Sequence, residues 1–163
     1  MKKKVIEEFG IKTYLSETSL PQIDFTDTFS TTNYHDDLVT VANKIFNQTP
    51  AWIKGLFALR HILVKLVGIE SKLPADFNTE LKVGGYIGFF KIYAIEKNEI
   101  LLGLDDEHLN FRVNIVDSKE RQYNIKVITS VEYNNSKGRL YMQTIKPFHR
   151  LVVMGMVKNA YRY

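Results

Sequence analysis

The chain contains no cysteine, which excludes disulfide scaffolds, thiolate zinc sites and thiol nucleophiles together. No run approaches the ~18 apolar residues of a membrane span. The basic start MKKKVIEEFG turns acidic at Glu7 and Glu8, where a signal peptide needs about 7–15 apolar residues. A cytoplasmic location is therefore expected. A block of one charge is missing too: lysines and arginines lie among acids, and the net charge is only +4. A nucleic-acid reader carries a clustered basic stripe instead, so no nucleic-acid partner is expected. His35, His61, His108 and His149 show neither HxxxH nor HExxH spacing, so neither a metal nor a cofactor is expected. No GxSxG is present, and Gly84-Gly85-Tyr86-Ile87-Gly88 precedes a strand pattern. Those two observations argue against a serine-hydrolase elbow and a dinucleotide loop.

What is present suits one globular domain. The 163 residues, 45% hydrophobic and 25% charged, suffice for a substantial core without staples. The expected division is a single domain over 1–163, with 1–22 as an N-terminal arm ending near Pro21. From Ile23, IDFTDTFS alternates as a strand, with Ile23, Phe25, Asp27 and Phe29 on one side. Asp27 is the one acid on that otherwise apolar side. Two helices follow. In Asp36 to Asn47 the apolar Leu38, Val41, Ala42, Ile45 and Phe46 recur at three and four, with Asp36 or Asn33 available as N-cap. The second helix restarts at Thr49-Pro50, runs to Val67 and stops at Gly68, with apolar residues nearly all round.

After a linker over Glu70 to Gly85 the period changes to two. Strands are expected over Ile87 to Ile95, Glu99 to Leu104, His108 to Val116, Gln122 to Tyr133 and Arg139 to Ile145. The closing stretch then meets Pro147, which is expected to end the last strand and open an apolar helix of about fifteen residues, ~22 Å long. Strand, two helices, a run of hairpins and a closing helix make an α+β fold.

Three stretches carry a resemblance: YHDDLVTVANKIFNQTPAWIKGLFALRHILVKLVGI, LLGLDDEHLNFRVNI and GRLYMQTIKPFHRLVV. Over Asp24 to Val157 the chain resembles a bacterial family, domain of unknown function 2867. That family is placed in the START, polyketide-cyclase-like and pollen-allergen-like helix-grip superfamily. The resemblance implies a helix-grip fold, with a curved antiparallel sheet of about six strands wrapped around a long C-terminal helix. It also implies a pocket between sheet and helix. Superfamily relatives bind lipids, sterols or polyketides, and some are cyclases or hydrolases. The family supplies no catalytic residues to carry over, and fold alone does not assign function.

Six residues are the ligand-binding candidates. His149, just after Pro147, is able to exchange a proton near neutral pH. His108, Asn110 and Arg112 share one side of a strand, where Arg112 suits an anion; the alternation favours Leu109, Phe111 and Val113 for the interior. Tyr141 sits beside Arg139 and Gln143 on the expected last strand, able to orient a carbonyl. Arg60 interrupts the apolar second helix and is a candidate partner for Asp27, and Trp52 adds an aromatic wall. Three functions compete. The first is binding of a small hydrophobic or amphipathic molecule. The second is a cyclase, hydratase or hydrolase using His149, Tyr141 and Arg112. The third is a structural or interaction module, with a homodimer as its simplest form.

Overall fold

A computed structural model describes residues 2–48, 50–51, 54–55, 65 and 74–163 of the chain. Among these residues seven antiparallel strands form one open sheet: β1 (Val5–Glu8), β2 (Phe25–Thr31), β3 (Tyr86–Ile87), β4 (Phe90–Ile95), β5 (Glu99–Asp105), β6 (Leu109–Asp117) and β7 (Ile125–Tyr133). Their spatial order is β1-β2-β7-β6-β5-β4-β3. Among the described residues three helices accompany them: α1 (Tyr14–Thr18), α2 (Leu38–Phe46) and α3 (Ser136–Lys158). The architecture is α+β and helix-grip-like. Most of the expected second helix, including Trp52, Arg60 and His61, lies outside the described residues.

Alternation decides which way the sheet faces. Phe29, Val127, Ile125, Ile115, Val113, Leu102, Ile100 and Ile92 form one buried apolar cluster, joined by Val41, Ala42 and Ile45 of α2 and by Met156 and Val157 of α3. This is the inner face. Residues between them in the strands, including Thr28, Ser30, Arg112, Asn114, Lys126 and Ser130, occupy the outer face and are also buried. The outer face is therefore covered in part, where an antiparallel sheet often leaves that side wet. Its cover is the N-terminal arm. The arm adds β1 beside β2, with Val5 opposite Thr31, and then α1.

Helix α3 corrects the closing stretch. Arg139 to Ile145 is not a strand but the first half of a 23-residue helix, with Pro147 inside it. Asn135 starts the helix: its side chain accepts the Gly138 N–H at 3.0 Å, the job of an N-cap residue. Proline removes one helical hydrogen bond, that to the carbonyl four residues back. Both Pro147 and Gln143 are exposed, so the freed carbonyl lies on the solvent side of the helix. Gly138 is fixed by contact, because a Cβ there would lie 1.9 Å from the His108 carbonyl oxygen. The first turn of α3 thus sits directly on the entry to β6.

Two smaller departures have local causes. The strand expected over Ile87 to Ile95 is a hairpin, turning at Gly88 and Phe89 between Ile87 and Phe90. Gly88 has φ +61, a conformation for which glycine is the usual choice in such turns. In α2 the N-cap is Asp37, whose carboxylate accepts the Thr40 N–H at 2.7 Å. Asp36 is spent elsewhere. It accepts from Asn33 Nδ2 at 2.8 Å and Arg162 Nη1 at 2.9 Å, and pairs with Lys44. Asn33, itself buried, also donates to the Ala160 carbonyl at 2.7 Å. The end of β2, helix α2 and the C-terminal residues are tied together at this knot.

Candidate functional site

The helical period of α3 carries Tyr141, Ile145 and His149 along one line. They are four residues apart and so share a face. Tyr141 and Met142 are buried with Val131, and Phe25, Leu109, Phe111, Tyr133 and Ile145 pack around them. One turn beyond Ile145, the imidazole of His149 reaches the sheet. Its Nε2 lies 3.1 Å from Asp27 Oδ2 and donates to that carboxylate. Both side chains are about nine-tenths covered, at 10% and 11% exposure.

Asp27 stands between Phe25 and Phe29 in β2, the position that alternation assigns to the inner face. Its second oxygen, Oδ1, is buried and has no hydrogen-bond partner among the described residues. The surroundings are aromatic. The His149 ring meets Phe25 edge-on at 5.7 Å and Phe111 at 6.4 Å. Phe111 stacks on Phe90 at 5.4 Å, and Phe90 meets Phe46 of α2 at 5.0 Å. An aromatic row thus runs along the inner face from α3 to α2, with one carboxylate and one imidazole at its α3 end. Such a pair can orient a donor-bearing ligand or hold and move a proton at Nδ1 of His149.

Arg112 lies on the opposite face. Its Nη1 donates to Asp105 Oδ1 at 2.7 Å and its guanidinium lies over the Tyr93 ring at 4.2 Å. A bulge helps to place that ring: Ile92 pairs with Leu102 and Ala94 with Leu101, leaving Tyr93 as the extra residue. Burial pushes the Tyr93 phenol above its ordinary range, and the hydroxyl donates to Asp105 Oδ2 at 3.2 Å. Gly103, opposite Arg112, leaves room for the arrangement, since a Cβ there would sit 2.9 Å from Arg112 Nη1. A reaction that needs His149, Tyr141 and Arg112 in one cleft finds only the first two on the same side of the sheet.

His108 is buried and serves the helix entry. Asn135 Nδ2 donates to its Nδ1 at 2.9 Å, so the same asparagine caps α3 and fixes the imidazole. Both His108 and Arg112 are therefore buried and engaged. Among the other aromatic residues, Phe90 and Phe111 pack against the inner cluster that α3 shares. Tyr93 is on the outer face, Phe89 is exposed at its turn, and Phe148 is partly exposed. Trp52 and Arg60 lie outside the described residues, and so does any pairing of Arg60 with Asp27.

Sequence reasoning singled out Asp27 as an acid on an apolar side but not its partner. His149 lies 122 positions away, and no local spacing links the two. Among the described residues, no group of three or more His, Cys, Asp or Glu could hold a metal ion, and no helix is long and apolar enough to cross a membrane. Compared with known families, residues 19–156 match the model described as "Protein of unknown function (DUF2867)". No curated protein and no solved structure matches the chain.

Proposed function

The chain belongs to the DUF2867 family, and from that premise we propose that it binds a small hydrophobic or amphipathic molecule between the inner face of the sheet and α3. One observation carries this reading: Asp27 Oδ1 is buried beside an aromatic row without a partner among the described residues. Buried polar atoms are normally hydrogen-bonded, and an unmet one costs about 1–3 kcal/mol. A ligand whose apolar body lies along Phe25, Phe111 and Phe90, and whose hydroxyl or amine donates to Asp27, meets both demands. Pockets for such ligands are mostly apolar with a few placed polar groups.

Native mass spectrometry of the chain purified from cells tests the proposal. A co-purified small molecule is expected in the wild type and is expected to be lost in Asp27→Asn, whose amide lacks the second carboxylate oxygen. A bare polypeptide mass, together with no melting shift from a fatty acid, a sterol or a long-chain amine, overturns it.

The same pair favours a second reading, acid–base chemistry of the cyclase, hydratase or hydrolase type. Here Asp27 orients His149, and His149 exchanges the proton. Tyr141 belongs to this reading as a residue on the same helix face. A bell-shaped rate profile that loses one limb in His149→Gln supports it.

We also propose that residues 1–163 act as one cytoplasmic domain of the START and pollen-allergen-like superfamily, with a second copy of the chain as candidate partner. Light scattering at high concentration decides the homodimer: a monomer mass there removes it.

A further inference from the structure

We propose that the cleft between the N-terminal arm and the outer face of the sheet is a second binding site, for a neutral polyhydroxylated molecule of mono- or disaccharide size. The cleft has a volume of about 510 Å³. Its floor is made by Thr28, Ile128 and Ser130, and its roof includes Ser16 and Leu20 of the arm. It lies on the other side of the sheet from His149, so the proposal does not rest on the inner-face reading.

The charge balance selects the class of ligand. Glu8 at the rim is already matched by Lys126, whose Nζ donates to its two oxygens at 2.8 and 3.0 Å. Glu17 has Lys12 at 3.6 Å. The Asp27 carboxylate bonds His149 on the inner side. Glu8 and Glu17 on the outer side of the cleft are thus each paired with a lysine, and the Asp27 side chain turns to the inner side, so nothing on the outer side calls for a charged ligand.

Hydrogen-bonding capacity is left over instead. Ser130 is 1% exposed, lines the cleft, and its Oγ has no partner among the described residues. A hydroxyl offers one donor and two acceptor sites, which is the complement of another hydroxyl. Ser16, Thr26 and Thr28 add further hydroxyls to the lining. Apolar surface accompanies these groups. Ile11, Leu20 and Ile128 line the cleft, and Phe9 offers an aromatic ring that is 85% exposed. Apolar walls with scattered hydroxyls suit a sugar ring, which presents C–H faces and an equatorial belt of O–H groups.

The test is a titration of the isotope-labelled full chain with glucose and with maltose, followed by amide shifts, with glucose 6-phosphate as the charged comparator. Saturable shifts at Ser16, Thr28 and Ser130 are expected from a neutral sugar, with no tighter binding of the phosphate. Phe9→Ala and Ser130→Ala are each expected to weaken the affinity by about tenfold, the scale of one lost contact. Phe9 is exposed, so its variant keeps the fold even if that of Ser130 does not. No saturable shift from either sugar, tighter binding of the phosphate, or shifts unchanged in both variants overturns the proposal.

Discussion

Phe29 and Ser30 are neighbours in β2, and both are fully buried, yet they face opposite sides of the sheet and meet different chemistry. Phe29 enters the apolar cluster shared with α2 and α3. Ser30 faces the side of Lys126, Thr28 and Ser130, where its hydroxyl has no partner among the described residues. The inner layer is held by apolar area. The outer layer is held by individual polar contacts: Thr13 Oγ1 donating to Glu99 at 2.6 Å, and Lys126 donating to Glu8 and, at 3.0 Å, to Glu120. Apolar burial is additive and tolerant of small shifts, whereas each polar contact depends on one geometry. The inner face therefore carries most of the stability, and the outer face has groups to spare.

Substituting these two neighbours breaks or sustains that contrast most sharply. Phe29→Ala is expected to cost about 3–5 kcal/mol, from lost transfer energy plus the cavity left behind. Ser30→Ala is expected to lie within about 0.5 kcal/mol of wild type, because it removes a buried hydroxyl that has no partner among the described residues. Urea denaturation of both variants gives the comparison directly. Equal losses would mean that the outer face is as tightly packed as the inner one.

Gly138 probes the contact between the inner layer and the strand edge. Gly138→Ala places a methyl group 1.9 Å from the His108 carbonyl oxygen, so helix or strand must move. Alanine is otherwise the better helix former by about 1 kcal/mol. A net loss of about 1–3 kcal/mol, the range for overpacking, is expected in thermal melts. A stabilised variant would show that α3 is free to lift off β6.

How much of this contrast was legible in the sequence follows from the range of the forces involved. Period two fixed the faces of β2 and β6, because Phe111, Val113 and Ile115 alternate with Asn110, Arg112 and Asn114 whatever the partner strands are. The face of α2 was legible for the same reason at period 3.6. The first half of α3 was not. Arg139 to Ile145 fits either period, and Pro147 is a strong stop signal; the outcome turned on Asn135 as a cap and on the exposed side of the helix absorbing the proline. Asp27 stood out as an acid on an apolar stripe, while its partner His149 needed the tertiary structure. The outer cleft was not legible at all. Its roof, the arm, reads as a mixed and polar stretch, and the Ser130 hydroxyl, without a partner among the described residues, differs from a bonded one only in three dimensions.

A pH-dependent effect is expected at the knot where the inner layer is tied to the end of the sheet. The carboxyl of Asp36 is held down to about 2 from an ordinary 3.8, first by the Asn33 side-chain amide and then by Lys44, with Arg162 adding to them. A depressed carboxylate stabilises the fold above its unfolded value and loses that contribution as protons bind, so the stabilisation is complete above about pH 4 and gone below about pH 2. The difference corresponds to about 2 kcal/mol at most, reduced by solvent near the exposed Arg162. Asp36→Asn removes the titration while keeping the shape. Its stability relative to wild type is expected to be lower at pH 6 and to converge with wild type as the pH falls from 4 towards 2. Parallel curves over that interval would mean that Asp36 is not what ties α2 and the C-terminal residues to the sheet, and the inner layer would then rest on apolar burial alone.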